Sequence, residues 1–285
     1  MQNTFRCLLV AALLFLTACS STTFIYNRLD FLLPWYMGDY VNLERDQKKY
    51  LDTLIDPFLD WHRSEELPQY LDLLERAESD LDRELTAADI EALALEFEQA
   101  WLRIESRALE WLMELGEQLS DEQIAEFLAE LWDKQREYEE KYLPRTDEEY
   151  HEEAYENLRD SLQDYMGRLD DQQRTVLQDA GKELRRSDGV WLTERAAWLN
   201  MLEEVLQREP GWQQALRDAI ATREERVSDD YNDTYAHNAA VIYAALAEVI
   251  NTRSEKQDKR LRREMDSLQQ DLKTLIAQGQ DEGHG

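Results

Sequence analysis

Apolar residues recur at helical spacing through most of the chain after residue 40. In the two clearest series the apolar positions lie three or four residues apart, which places the side chains on one helix face rather than on alternate faces of a strand. Each series therefore predicts a long amphipathic helix with one buried stripe. The first is Ile90, Leu93, Ala94, Phe97, Trp101, Ile104, Trp111, Leu112 and Leu115, and the second is Ile124, Phe127, Leu128, Leu131, Trp132, Tyr138 and Tyr142.

Residues that break helices are scarce and fall where the apolar pattern is interrupted. The chain has nine Gly and five Pro among 285 residues, well below the average usage of about 12%. N-cap residues precede several of the predicted helices, namely Thr86, Ser120, Thr146, Asp170 and Ser254. The predicted helices cover residues 40–55, ended by Pro57, then 66–84, 87–115, closed by Gly116, then 121–143, 147–168, 171–186, 190–208, 212–252, and a last helix from 255.

These patterns predict an all-α fold, either a multi-helix bundle or stacked helical hairpins, with a long C-terminal helical pair. In the last helix the leucine-rich positions follow a 4-3-4-3 spacing, which is typical of a heptad seam. They are Leu261, Met265, Leu268, Leu272 and Leu275. Residues 278–285 are rich in glycine, and we expect them to form a disordered tail.

The first eighteen residues have the layout of a secretory signal. Arg6 supplies the positive charge, and Cys7 to Leu16 form an apolar run. That run is too short to cross a hydrocarbon core, which takes about 20 helical residues. We therefore expect residues 1–18 to be removed and residues 19–277 to form the mature domain.

The residues before the cleavage point resemble the lipobox of bacterial lipoproteins, and they read Leu16-Thr17-Ala18-Cys19. The resemblance implies cleavage before Cys19, attachment of diacylglycerol to its sulfur and three acyl chains on the mature protein, which is enough for stable anchoring. Ser20, in place of Asp, resembles the class sorted to the outer membrane. The alternative is an ordinary cleaved signal in which the cysteine is incidental.

The charge balance excludes one class of partner. With 62 acidic and 32 basic residues the formal net charge is −30, and a field of that sign repels nucleic acid and anionic lipid headgroups. It favours basic partners and divalent cations. The alternative is that the glutamates only solvate the outer faces of the helices.

No catalytic or metal-binding motif is recognisable. Glu148 and His151 form a single E-x-x-H, whereas a di-iron site in a helical bundle needs two copies and further glutamates. There is no zinc motif, phosphate-binding loop or nucleophile elbow. We therefore predict no enzyme activity, cofactor or metal site, although a hydrolase built on paired carboxylates needs no motif.

An aromatic segment at residues 24–36 follows the predicted anchor. Its Tyr and Trp residues suit the headgroup level of a membrane. The favoured alternative is that the segment folds back as a short helix into the domain core, because Arg28 and Asp30 interrupt the apolar run and Pro34 indicates a turn.

The same segment resembles the start of an uncharacterised lipoprotein family of Gram-negative bacteria. That family has no assigned activity, so the resemblance implies a location and a helical fold but no mechanism. The matching residues are Tyr26-Asn27-Arg28-Leu29-Asp30, Leu33-Pro34-Trp35-Tyr36 and Asp39-Tyr40-Val41.

A second resemblance bears on function. Residues 119–123 are similar to the L-T-x-x-Q motif of the Spy-type periplasmic chaperones, and residues 85–89 and 169–173 are looser copies. The favoured alternative is that each copy is only a helix N-cap. We thus expect a lipid-anchored protein of the periplasm, attached to the bilayer through acylated Cys19, that binds another envelope protein. A chaperone-like sensor of unfolded proteins is the alternative.

Overall fold

The computed structural model describes residues 21–282, and within this range the regular structure is helical throughout. The all-α prediction is confirmed. The predicted signal peptide and Cys19 lie outside the described residues. The helices are α1 (Ser21–Tyr26), α2 (Leu29–Met37), α3 (Arg45–Trp61), α4 (Leu67–Asp80), α5 (Ala87–Gln118), α6 (Asp121–Tyr142), α7 (Asp147–Met166), α8 (Asp171–Glu183), α9 (Asp188–Val205), α10 (Trp212–Ala221), α11 (Arg223–Arg226), α12 (Asp229–Asn251) and α13 (Glu255–Glu282), with one π-helical turn, His62–Glu66, joining α3 to α4.

All five predicted caps start a helix, and Ser254 starts α13 with the same reciprocal bonds to Gln257 as the other four caps. The side chains of Thr86, Ser120, Thr146 and Asp170 each accept a hydrogen bond from the backbone N–H three residues later, and that third residue's side chain returns a bond to the cap's own N–H. These reciprocal bonds satisfy amide groups that the first helical turn leaves without partners. The predicted starts of α5, α6, α7 and α8 are therefore confirmed.

Two predicted helix ends are wrong because the residues have other roles. Helix α3 continues through Pro57 to Trp61, since Ile55 and Leu59 pack into one cluster on either side of the proline and offset the lost hydrogen bond. Helix α5 continues through Gly116. A Cβ atom at Gly116 would lie 3.2 Å from the Trp212 ring, so this glycine permits close packing instead of ending the helix.

The predicted helix over 212–252 is divided into α10, α11 and α12. Ser228 makes the division stable, because its hydroxyl accepts a bond from the Tyr231 N–H and starts α12. The apolar spacing continues across the break, which is why the pattern did not indicate it.

The range predicted as a disordered tail, residues 278–285, overlaps the end of the last helix. Helix α13 continues to Glu282, because its end is docked against the N-terminal segment. The Asn27 side-chain amide donates to Gln278 Oε1 at 3.0 Å, and Gly279 lies against the Arg63 side chain. Residues 283–285 lie outside the described part of the chain.

The long helices pack as antiparallel neighbours. Positions later along α13 contact positions earlier along the chain near α4, as antiparallel packing requires. The contacts are Arg262–Asp82, Gln269–Glu78 and Lys273–Glu75. Helix α12 packs on α5 and α8, and α9 packs on α6. The two long C-terminal helices that were predicted as a pair, α12 and α13, are thus present and follow each other along the chain. Each of them packs chiefly on other helices and not on its predicted partner.

The core is divided into four clusters along these helices, one of which decides how the N-terminus is held. It contains Leu67 of α4 with Leu272 and Leu275 of α13, and Tyr26 packs against it. A second cluster joins α3 and α5 to the extended residues Val41 and Leu43. The other two lie between α7, α8 and α12 and between α5 and α10. One residue of the apolar series predicted to be buried on α5 is instead exposed. Leu112 is 43% exposed, whereas its neighbour Met113 is buried.

Candidate functional site at the N-terminal surface

Residues 21–37 form two short helices separated by a slight break at Asn27 and Arg28. The Arg28 N–H donates to the Ile25 carbonyl, and the Leu32 N–H donates to the Arg28 carbonyl, so the chain keeps an approximately helical course. Pro34 does not mark a turn but lies inside α2. It leaves the Asp30 carbonyl without its usual donor, and because Asp30 is exposed, water can replace that donor.

One side of this segment is docked on the body of the protein. Tyr26 packs against Leu272 and Leu275, whereas Leu33 and Met37 pack against the cluster that contains Leu51 and Ile55. The prediction that the segment folds back as a helix onto the core is therefore confirmed for this side.

A partly buried histidine, His62, fixes the docked side. The Tyr26 hydroxyl lies 2.9 Å from His62 Nδ1, and the Tyr70 hydroxyl lies 3.4 Å from Nε2. Thr23 adds a bond from its hydroxyl to Asp271 Oδ1 at 3.0 Å, and the Arg63 guanidinium lies over the Tyr26 ring. His62 begins the π-helical turn, an irregularity that is frequent at functional sites.

Burial governs the ionisation of this cluster. It lowers the pKa of His62 from 6.5 to about 4, against the smaller opposing influence of the Glu66 carboxylate, and it raises the pKa of Tyr26 to about 12. Glu66 is only 1% exposed and pairs with Arg103 at 2.8 Å. Desolvation disfavours the charged imidazole, so His62 is neutral near pH 7.

The opposite side of α1 and α2 presents large apolar side chains to the solvent. Phe24, Phe31 and Trp35 are each more than 60% exposed, and Ile25 and Tyr36 are at least half exposed. We call these five side chains the outer face. Among the described residues the other large apolar side chains that are exposed are Leu95, Leu112 and Leu143, so the outer face is the main concentration of such groups.

The aromatic segment is recognisable from the sequence, where its two interpretations are alternatives. Tyr26, Leu33 and Met37 are docked, as the favoured alternative expects, whereas the side chains of the outer face are exposed. His62 was not recognised, because its partners Tyr26 and Tyr70 are 36 and 8 residues away and form no local motif.

The other candidate residues have structural roles. His151 Nε2 lies 3.1 Å from the Leu184 carbonyl and holds α7 to the end of α8, while Glu148 is exposed. Residues 21–282 contain no grouping of His, Cys, Asp and Glu side chains that could hold a metal ion.

A cleft of about 330 Å³ lies between α4 and α5, with Arg76 and Arg103 in its wall. Arg76 pairs with Glu96 and Arg103 pairs with Glu66. Because both guanidinium groups are already neutralised, the cleft offers no free positive charge to an anion.

The Spy-like motif around Ser120 is occupied by internal bonds. The Gln123 side-chain amide donates to the Asn42 carbonyl and to Gln47 Oε1, and Gln123 Oε1 accepts from the Ser120 N–H. Leu119 packs against the cluster that contains Leu115. These contacts tie the start of α6 to the segment before α3 and leave no free polar group of Gln123 for a client.

None of the helices within residues 21–282 is both long enough and apolar enough to cross a bilayer.

Ser120→Ala should lower the free energy of unfolding by about 1 kcal/mol, the usual cost of a lost N-cap. Gln123→Ala should also be destabilising, because it removes bonds to Asn42 and Gln47 as well as the return bond to Ser120. Urea titrations followed by circular dichroism measure both changes. An unaltered stability of Gln123→Ala, combined with a loss of anti-aggregation activity, would favour the chaperone interpretation.

The low pKa of His62 makes stability dependent on pH in a defined direction. In the unfolded chain the imidazole regains its ordinary pKa of about 6.5, so between pH 4 and 6.5 the unfolded state binds more protons than the folded state. The contribution of this group therefore destabilises the fold as the pH falls through that window, by roughly 3 kcal/mol at most.

His62→Gln keeps a hydrogen-bonding group near Tyr26 but removes the titration. Wild-type protein should lose more stability than His62→Gln when urea titrations near pH 7 and near pH 4.5 are compared. All other ionisable groups are shared, so the difference between the two proteins isolates His62. The same pH dependence in both would contradict the assignment.

Residues 39–232 match a protein-family model, described as a family of unknown function, DUF6279. The match begins at Asp39, so most of the N-terminal residues that carry the resemblance to uncharacterised lipoproteins precede it. No match was found among curated proteins or among solved structures. Since the matched range covers more than half of the chain, the protein belongs to the DUF6279 family.

Proposed function

We propose that this protein is a lipoprotein of the bacterial envelope, anchored through acylated Cys19 and facing the periplasm from the outer membrane. Its helical domain works by binding another envelope protein and not by catalysis. The observation that carries the anchoring is the outer face, the main exposed apolar surface of the described residues, which begins five residues after Cys19.

Two features support the anchoring. The lipobox follows an apolar run of signal-peptide length. The described residues are helical from Ser21, only two residues after Cys19, so an acyl group on that sulfur would hold α1 beside the membrane.

Binding is favoured over catalysis because the buried charged groups are committed to one another. Asp188 accepts bonds from both Arg145 and Arg186 at 2.7 and 2.9 Å, and Glu66 is bound by Arg103. His62, whose pKa is strongly lowered, has both ring nitrogens next to tyrosine hydroxyls. Groups held in this way stabilise a scaffold, and the acidic surface suits a partner with a basic face.

Cys19→Ala should abolish acylation and leave the uncleaved precursor, because the thioether requires that sulfur. Cys7→Ala is the matched control, since Cys7 lies within the predicted signal and its loss should leave anchoring unchanged. Mass spectrometry of the protein extracted from membranes reads both outcomes. An unmodified Cys19 in the wild-type protein would refute the proposal.

Protein binding can be tested at the exposed leucines of the body. A photo-crosslinking amino acid at Leu95, Leu112 or Leu143 should give a discrete product with a second polypeptide in living cells, because exposed apolar side chains are enriched at contact surfaces. Matched positions at the exposed acidic residues Glu91 and Asp171 give the background. Products no stronger than this background at all three leucines would argue against a protein partner on these surfaces.

A further inference from the structure

The outer face is apolar, exposed and held in a fixed position. Its five side chains remain at least half exposed instead of packing into the body of the protein. Phe24, Arg28, Phe31 and Trp35 follow a 4-3-4 spacing, which places them along one side of the two helices. The Arg28 guanidinium lies 5.4 Å from the centre of the Phe24 ring, so a cation lies within the apolar strip.

We propose that the outer face lies in the headgroup layer of the phospholipid bilayer and sets the orientation of the helical domain on the membrane. The inference rests on the proposed anchoring through Cys19. It adds a second membrane contact, made by side chains instead of acyl chains.

The length of the tether places the outer face at the bilayer. Phe24 is five residues from Cys19, and five residues span at most about 17 Å even when fully extended. Residues from Ser21 are already helical, which shortens this reach. A bilayer is about 40–45 Å thick with a core of about 30 Å, so each headgroup layer is roughly 5–8 Å deep.

The side chains have the chemistry of the membrane interface. Trp and Tyr combine an apolar ring with a polar group and are enriched at headgroup depth. Trp35 and Tyr36 supply such rings at one end of the strip, and Phe24 and Ile25 supply purely apolar groups at the other. The Arg28 guanidinium lies over the Phe24 ring and can pair with a lipid phosphate.

The distribution of charge gives the same orientation. Residues 21–40 contain three charged side chains, Arg28, Asp30 and Asp39, whereas the whole chain carries a net charge of −30. An anionic membrane surface repels the acidic body, so the nearly neutral N-terminal segment approaches the membrane at the lowest electrostatic cost. Tyr26 and Thr23 fix this segment to the body and thereby transmit its orientation.

Site-directed spin labelling of the mature, acylated protein tests the proposal. In the mature protein Cys7 has been removed with the signal peptide and the Cys19 sulfur carries the lipid. An introduced cysteine is therefore the only free thiol. Phe31→Cys and Trp35→Cys place a nitroxide on the outer face, and Leu112→Cys is the matched control on α5, also exposed. The proteins are reconstituted in vesicles of phosphatidylethanolamine and phosphatidylglycerol.

At Phe31 and Trp35 the nitroxide should lose contact with a water-soluble nickel chelate and gain contact with oxygen, which partitions into lipid. The label at Leu112 should remain accessible to nickel. Nickel access at all three sites would overturn the proposal, and so would outer-face labels that become shielded only in native membranes, which would assign the face to a protein partner. Failure of the anchoring itself is separately visible, because unacylated Cys19 would also take the label and the mass of the protein would lack the lipid.

Discussion

The position of the N-terminal segment depends on the partly buried contact between the Tyr26 hydroxyl and the His62 imidazole. A single hydrogen bond contributes only about 0.5–1.5 kcal/mol net. Here it is combined with the packing of the Tyr26 ring on Leu272 and Leu275 and with the second tyrosine, Tyr70, on the other ring nitrogen. Burial lowers the pKa of the imidazole and so favours its neutral form near pH 7. Because α1 is fixed there, the outer face has a defined direction relative to the whole body.

Similar polar contacts hold the helix ends elsewhere. Gln173 and Gln257 exchange bonds between the start of α8 and the start of α13. The Asn251 side chain both accepts from and donates to the backbone of Leu85, at 2.9 and 2.7 Å, and joins the end of α12 to the turn before α5. Buried amides of this kind require partners, so each one specifies a single geometry. They hold α8 to α13 and α12 to the turn before α5, and such a rigid scaffold suits a protein proposed to act by presenting surfaces.

Local features of the fold could be predicted from the sequence, and long-range ones could not. The starts at Thr86, Ser120, Thr146 and Asp170 were predictable because cap and partner lie three residues apart. The continuation through Pro57 and Gly116 depends on packing against distant residues, as in the close approach of Trp212. The docking of Gln278 and Gly279 likewise depends on Asn27 and Arg63.

The candidate site shows the same division. The aromatic composition of residues 24–36 indicates a special segment. Which side of the segment is docked and which side is exposed depends on the position of His62, and the sequence does not indicate that position.

Neutron reflectometry of the mature protein on a supported bilayer tests this account most directly, because it measures the distance between the headgroups and the helical body. The account predicts protein density continuous with the headgroup layer, with the acidic body extending into the water beyond it. A hydrated gap between the headgroups and the protein would show that the outer face does not contact the membrane, and would contradict the account.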